Sequence, residues 1–194
     1  MADIKGIKTT DPNLLNRAKN LSSKYKIPLL GSEFSEIYIF LDNPTTLCFG
    51  SEKLVNTFNK GKFYSRITKF QNESLLKKAF GLQLTKPKRI LDATGGLGHD
   101  AFILALLGQK VTVVEKNKGL CILLEEALNE LPDLSYFNDA VNNITIKNND
   151  SRTFLNSVHD FDVIYVDPMF NSNKKLKRTK QMEFLDQYLH EYDN

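Results

Sequence analysis

The alternation of apolar strand-like and helical segments from Arg89 to Asp167 constrains the fold of this chain most strongly. RILDA and VTVVE are typical of buried strands, and helical patterns follow them over residues 97–107 and 117–131. ITIKN, a short helix after Ser151 and FDVIYVD continue the series. Strands that alternate with helices in this way predict an α/β fold with a doubly wound parallel sheet.

The residues before this alternation have a different pattern. Residues 11–26 are typical of a polar helix, and EIYIFL and TTLCFG lie on either side of Pro44 as the two strands of a hairpin would. We therefore expect a small α+β subdomain over residues 1–80 and a second domain over residues 81–194. Apolar residues at helical spacing predict one more helix near the C-terminus.

The connection LDATGGLGHDAF, between the first strand of the series and its helix, contains three glycines. A nucleotide-binding loop needs glycine where the backbone turns tightly and approaches its ligand. Gly95, Gly96 and Gly98 meet this need. Gly96, Gly98 and Ala101 also match the G-x-G-x-x-A dinucleotide fingerprint, so an NAD-linked oxidoreductase is one interpretation of the loop.

Acidic residues around the loop favour S-adenosylmethionine (SAM) over NAD as the cofactor. Asp92 would repel a pyrophosphate but attract the ammonium of SAM, which carries a sulfonium and no phosphate. Glu115 ends the next strand, where an acid can accept both ribose hydroxyls. Asp150 follows the third strand and could hold the adenine amino group. The alternative for Asp92 and Asp150 is a helix cap, and for Asp100 a favourable charge in the first turn of a helix.

The fourth strand ends in DPMF, at the position of catalytic groups in this architecture. The lone pair of an exocyclic amine is delocalised into its ring. Hydrogen-bond acceptors that bind the amino group can free this lone pair for attack on a methyl group. The Asp167 carboxylate and the Pro168 carbonyl are such acceptors, and Phe170 offers a ring on which a base can stack. We predict catalytic roles for Asp167, Pro168 and Phe170, although a strand-ending turn with a buried aromatic ring would have the same sequence.

A basic segment, KKLKRTK, begins four residues after Phe170 and should lie at the rim of the same crevice. RNA phosphates are its expected partners. The predicted RNA-binding residues are Lys174, Lys175, Lys177, Arg178 and Lys180. A looser basic run with interleaved aromatic residues, over residues 60–70, is equally consistent with a solvated face.

The remaining composition excludes several classes of protein. The two cysteines and three histidines do not have the spacing of metal ligands, so we expect no metal. No apolar run approaches the roughly 20 residues of a membrane span, and the N-terminus lacks the apolar core of a signal peptide. We therefore expect a cytoplasmic protein without a membrane partner.

Three stretches, LDATGGLGHDAFILALLG, VEKN and VIYVDPMF, resemble the RsmJ family of guanine-N2 methyltransferases in their order and spacing. The resemblance implies a class I, Rossmann-like methyltransferase. It implies SAM as the cofactor and transfer of a methyl group to N2 of one guanine in small-subunit (16S) ribosomal RNA, free or in the assembled particle. By motif position, the implied cofactor contacts are His99, Asp100, Glu115, Lys116, Asp150, Ser151 and Asp167.

The family chain continues beyond the basic segment into strands that close the sheet, whereas this sequence ends at Asn194. We therefore expect the C-terminal strands to be missing and the fourth strand to form an exposed apolar edge. Two alternatives stay open. One is a methyltransferase that acts on another amine, in a protein or a small molecule. The other is a truncated RNA-binding remnant that has lost turnover.

Overall fold

The computed structural model describes residues 4–31, 36–82, 86–156, 160–167 and 180–193. The chain divides into two compact units, the first formed by residues 1–56 with 169–194 and the second by residues 57–168. Phe58, Ile67 and Phe80 belong to the same apolar core as Ile90 of the second unit. Residues 57–80 therefore pack with the parallel sheet, and the boundary that we placed at residue 80 stays a prediction.

The first unit contains a four-stranded sheet in the order β1-β2-β3-β4. Its strands are β1 (Ile7–Lys8), β2 (Ile37–Phe40), β3 (Thr46–Phe49) and β4 (Glu52–Val55). β2 and β3 are antiparallel, as are β3 and β4, whereas β1 runs parallel to β2. The predicted hairpin is confirmed as β2 and β3.

Where the first unit is described, its two α-helices are α1 (Leu15–Tyr25) and α8 (Lys180–Asp193). Ala18, Leu21 and Tyr25 form the buried face of α1. Phe184 and Tyr188 of α8 pack edge-on against Phe49, with ring centroids 6.3 and 5.9 Å away. The polar helix expected within residues 11–26 is confirmed as α1, and the C-terminal helix expected from the spacing of apolar residues is confirmed as α8.

The second unit contains a parallel sheet in the order β7-β6-β5-β8. Its strands are β5 (Arg89–Asp92), β6 (Lys110–Glu115), β7 (Ile144–Asn148) and β8 (Val163–Tyr165). The predicted α/β fold with a parallel sheet is confirmed. The strand order reverses between β5 and β8, and in open parallel sheets ligands bind outside the carboxyl ends of the strands at such a reversal.

The described residues of this unit form six α-helices. They are α2 (Gly61–Ile67), α3 (Ser74–Ala79), α4 (His99–Leu106), α5 (Lys118–Asn129), α6 (Ser135–Asn142) and α7 (Ser151–Leu155). α4 buries five successive residues, 101–105, so it lies in the core. α2, α3 and α6 are short and were not predicted. The helix that we expected to begin at Leu97 begins at His99, because Gly98 adopts a left-handed conformation at its start.

Within the described residues β8 pairs only with β5, so it forms one edge of the parallel sheet. Ile164 is 54% exposed and Val166 is 58% exposed. These values agree with the apolar edge that the sequence predicted. None of the described helices has the length and apolar character needed to span a membrane.

Candidate active site

The glycine loop joins the buried end of β5 to α4 and lies tightly against its neighbours. A Cβ atom on Gly95 would lie 2.3 Å from Cγ1 of Val113 in β6. A Cβ atom on Gly98 would lie 2.4 Å from Cδ1 of Leu124 in α5, and the φ of Gly98 is +72°. Packing therefore requires glycine at both positions, and at Gly98 the left-handed backbone conformation requires it as well.

Gly96 differs from the other two glycines because its surroundings are open. The nearest heavy atom to a Cβ placed there would be the Thr94 carbonyl oxygen, 3.8 Å away. Its φ of +52° again favours glycine. The open side of Gly96 leaves room for a ligand to approach the backbone of the loop.

Asp92, the last residue of β5, is a buried acid beside this loop, with 3% of its surface exposed. Its Oδ1 accepts a hydrogen bond of 3.0 Å from the Thr94 N–H. The pKa of Asp92 is raised to about 6, mainly by burial; the charges of Asp100 and Glu115 contribute to this shift, and the Thr94 hydrogen bonds oppose it. A cationic group bound beside Asp92 would stabilise its ionised form.

Glu115, the last residue of β6, is held by two backbone N–H groups. Its Oε2 accepts from Gly96 at 2.8 Å, and its Oε1 accepts from Asn117 at 2.7 Å. Burial raises the pKa of Glu115, although these hydrogen bonds lower it. Each carboxylate oxygen can accept a second hydrogen bond, so both ribose hydroxyls of a nucleoside could bind here.

Asp100, in the first turn of α4, is part of a polar network at the end of β8. Its Oδ1 lies 3.1 Å from Nη1 of Arg66, and its Oδ2 accepts from the Tyr165 hydroxyl at 3.1 Å. Arg66 also donates through Nε and Nη2 to both oxygens of Glu73, at 2.7 and 3.1 Å. Asp100 therefore connects α2 to β8.

Asp167 lies at the other end of this network. Its backbone N–H donates to Oγ1 of Thr94 at 2.8 Å, which fixes it against the glycine loop. The Tyr165 hydroxyl lies 3.3 Å from Oδ2 of Asp167. That hydroxyl has one proton and two carboxylate neighbours. Burial raises the pKa of Tyr165, and the charges of the two carboxylates raise it as well. The predicted catalytic acid and the predicted cofactor loop are thus brought together.

His99 begins α4 and is packed between aromatic rings. Its ring centroid lies 4.2 Å from that of Phe63 and 5.7 Å from that of Phe58. Burial lowers the pKa of His99 to about 4, although the charge of Asp100 opposes the shift. A neutral imidazole at this position offers an aromatic surface rather than a charge.

The residues predicted near the adenine lie at the ends of β6 and β7, which are paired in the sheet. Asp150 caps α7 by accepting from the Arg152 N–H at 2.9 Å, and its Oδ2 lies 2.6 Å from Nη2 of Arg152. The helix cap that we gave as the alternative for Asp150 is therefore present. Ser151 is the first residue of α7, and Lys116 is exposed beside Glu115. Their contacts with a cofactor stay a prediction.

The described residues include only part of the predicted substrate-binding set. Pro168, Phe170, Lys174, Lys175, Lys177 and Arg178 lie outside the described residues. Lys180 is the exposed first residue of α8, in the first unit. Four side chains in the network were not assigned a role from sequence: Thr94, Tyr165, Arg66 and Glu73. Only Arg66 carried a signal, as part of the looser basic run.

Comparison with known proteins identifies the family. A family model of SAM-dependent methyltransferases, SAM_MT, matches residues 46–193. Ribosomal RNA small subunit methyltransferase J of Francisella tularensis subsp. novicida is 33% identical over 174 residues, which cover 87% of this chain and 72% of the relative. This chain belongs to the RsmJ family of SAM-dependent methyltransferases.

Other RsmJ relatives and a solved structure agree with this assignment. The Francisella philomiragia protein of the same name is 31% identical over 146 residues, covering 74% of this chain and 61% of the relative. A SAM-dependent methyltransferase from Neisseria gonorrhoeae superposes with a TM-score of 0.68 at 20% identity, covering 85% of this chain and 70% of that one. At this identity the superposition shows a shared fold.

SAM is therefore the cofactor of this RsmJ-family chain, and the loop fits it. The charges of Asp100 and Glu115 both act on the buried Asp92, so the field of these three carboxylates favours a cation and disfavours a phosphate. The open face at Gly96 provides space for a nucleoside beside Glu115. In the described part of the chain, no group of three or more His, Cys, Asp or Glu side chains is arranged to bind a metal ion.

Proposed function

We propose that this chain transfers a methyl group from SAM to the exocyclic N2 of a guanine in small-subunit ribosomal RNA. The observation that carries the proposal is the position of Asp167, which is hydrogen-bonded through its backbone to Thr94 of the cofactor loop. A carboxylate beside the cofactor loop suits the binding of an amino group. The name of the Francisella relatives, ribosomal RNA small subunit methyltransferase J, supports RNA as the substrate.

The acids and glycines of the loop would hold the cofactor. Asp92 would face the ammonium, and Glu115 would accept the ribose hydroxyls. The loop glycines Gly95, Gly96 and Gly98 give the backbone its close approach. The remaining proposed contacts lie around the adenosine and the loop: His99, Asp100, Lys116, Asp150 and Ser151.

SAM supplies, when bound, an electrophilic methyl group on a sulfonium. The Asp167 carboxylate would accept a hydrogen bond from the guanine amino group and direct the nitrogen lone pair toward that methyl group. An N–C bond would form as the C–S bond breaks, and the extra proton on nitrogen would pass to water. Because the amine needs little acid or base assistance, most of the acceleration would come from holding the two reactants together.

The tyrosine network would orient Asp167 for this task. Oδ2 of Asp167 lies near the Tyr165 hydroxyl, and no hydrogen bond reaches Oδ1 from the part of the chain that the structure describes. Oδ1 is thus the oxygen proposed for the substrate amino group. The Pro168 carbonyl would accept a second hydrogen bond from the amino group, and the Phe170 ring would stack on the base. The basic segment from Lys174 to Lys180 would contact RNA phosphates.

Nucleoside analysis tests the proposal. Small-subunit RNA, both free and in assembled particles, is incubated with labelled SAM and the full chain, digested, and examined by mass spectrometry for N2-methylguanosine. We expect this product from the wild-type chain and none from Asp167→Ala, with SAM affinity changed much less than turnover. Asp160→Ala, which removes an exposed acid of the same unit, serves as the control and should retain activity.

Two results would contradict the proposal. Methylation of a protein or small-molecule amine, with no product on either form of the RNA, would show a different substrate. Nearly intact turnover in Asp167→Ala would show that the acid does not bind the substrate amino group.

A further inference from the structure

The segment over residues 57–82 carries an unusual concentration of positive charge. It contains six Lys or Arg residues and one acid, Glu73, which gives it a net charge of +5 in a chain whose total is +3. The rest of the chain is therefore slightly acidic. The cofactor loop itself is lined by carboxylates, so cofactor binding does not explain this basic segment.

Two of the six cationic side chains form ion pairs or hydrogen bonds within the protein. Arg66 pairs with Glu73 and Asp100, and Nζ of Lys77 donates to the Gln71 carbonyl oxygen at 2.7 Å. The other four are exposed lysines on or beside α2 and α3, and we call them the α2–α3 surface: Lys60, Lys62, Lys69 and Lys78.

The same segment is fixed to the active site by three contacts. The Phe63 ring lies 4.2 Å from the His99 ring, and Arg66 Nη1 lies 3.1 Å from Asp100 Oδ1. At the end of the segment, the Phe80 ring lies 5.2 Å from the ring of Tyr165, two residues before Asp167. The backbone that carries the exposed lysines is therefore held in a defined position relative to the reacting groups.

Aromatic rings accompany these cations. Phe70 and Tyr136 stack nearly parallel, with centroids 6.5 Å apart and an interplanar angle of 18°. Tyr136 is 39% exposed. Lysines with partly exposed rings beside them are the combination that proteins use to bind single-stranded nucleic acid.

We propose that the α2–α3 surface binds the RNA backbone beside the target base. The carboxylates around the cofactor loop would repel a polyanion, so an adjacent cationic surface is needed to hold RNA against the site. The inference rests on the proposed function for the identity of the RNA. It adds lysines of residues 57–82 to the phosphate contacts proposed for residues 174–180.

RNA binding by two matched triple variants tests the surface. Lys60→Gln, Lys62→Gln and Lys69→Gln are combined in one protein. The control combines Lys19→Gln, Lys53→Gln and Lys110→Gln, which remove three exposed lysines outside the segment. Binding of transcribed small-subunit ribosomal RNA is measured by fluorescence anisotropy between about 50 and 300 mM KCl. SAM affinity, measured on the same samples, reports the folding of both proteins.

We expect the α2–α3 variant to lose affinity for RNA at least tenfold at the lowest salt. The slope of log K against log salt should become shallower by about 2 to 3, because each phosphate contact contributes roughly 0.7 to 0.9. The control should bind as the wild-type chain does, and SAM should bind all three equally.

Three outcomes would overturn the inference. The first is an unchanged salt slope in the α2–α3 variant, and the second is an equal loss of RNA affinity in both variants. The third is binding of phosphatidylserine vesicles that is as tight as RNA binding and as sensitive to the α2–α3 substitutions.

The experiment distinguishes failure of this inference from failure of the proposed function. If RNA binding depends on the surface but no N2-methylguanosine forms, only the proposed reaction is contradicted. If the product forms with the same KM for RNA in the wild-type chain and the α2–α3 variant, only the surface is contradicted.

Discussion

Asp92→Asn should stabilise the chain without its cofactor, because the ionised carboxylate is buried at a cost. The pKa of Asp92 is raised from 3.8 to about 6, mainly by burial. A difference of about 2 pKa units corresponds to about 3 kcal/mol that ionisation subtracts from folding stability. The folded state binds more protons than the unfolded state between these two pKa values. Stability of the wild-type chain should therefore fall as the pH rises from about 4 to 6, and the full cost is present above pH 6.

The asparagine variant should escape this pH dependence. Its side-chain oxygen can still accept from the Thr94 N–H, so the turn should be preserved. Urea unfolding of both proteins at pH 4, 5, 6, 7 and 8 measures the effect. We expect nearly equal stability at pH 4 and an advantage of about 3 kcal/mol for the variant at pH 8.

The same substitution should weaken SAM binding. Without the carboxylate the ammonium loses its counter-charge, and we expect the Kd for SAM to rise at least tenfold at pH 7. In the wild-type chain, affinity should increase with pH up to about 6 and then level off, because the cation binds the ionised form. A variant no more stable than the wild-type chain at pH 8, or one that binds SAM equally well, would refute this reasoning.

Other substitutions test single contacts of the site. Tyr165→Phe should lower kcat for methyl transfer about tenfold and leave SAM affinity within about twofold, with Tyr38→Phe in the first unit as a silent control; equal effects on both constants would argue against orientation of Asp167. Gly98→Ala should destabilise the chain by at least about 2 kcal/mol in urea unfolding, because its Cβ would meet Leu124 and its φ is +72°. Gly108→Ala, with φ +79° and no atom within 4 Å, should cost only about 1 kcal/mol; equal costs would refute the steric argument. Glu115→Gln removes one of the two acceptors that hold Gly96 and Asn117, so calorimetry should show SAM affinity reduced more than tenfold; an unchanged Kd would count against ribose binding by Glu115.

The parallel sheet could be predicted because each strand is a short apolar run between helical patterns. The glycine loop was recognisable for the same reason, since its glycines interrupt a strand and a helix at one point. Asp92 and Glu115 then followed from their positions at strand ends. Such features depend on residues close together in sequence, where spacing is informative.

The polar network could not be predicted, because its members are distant in sequence. Arg66 and Asp100 are 34 residues apart, and Asp100 and Tyr165 are 65 apart. Neither pairing leaves a local signal, since an arginine in a basic run and a tyrosine in a strand are ordinary. The neutral state of His99 has a similar origin, because it results from packing against Phe63 and Phe58 in another part of the chain.

Calorimetric titration of the wild-type chain with SAM, and separately with NAD, tests most directly whether the acid-lined loop binds a cationic nucleoside. We expect SAM to bind with a 1:1 stoichiometry and NAD to give no measurable heat, because its pyrophosphate would lie near Asp92. Binding of NAD, or no binding of SAM, would contradict this assignment of the site.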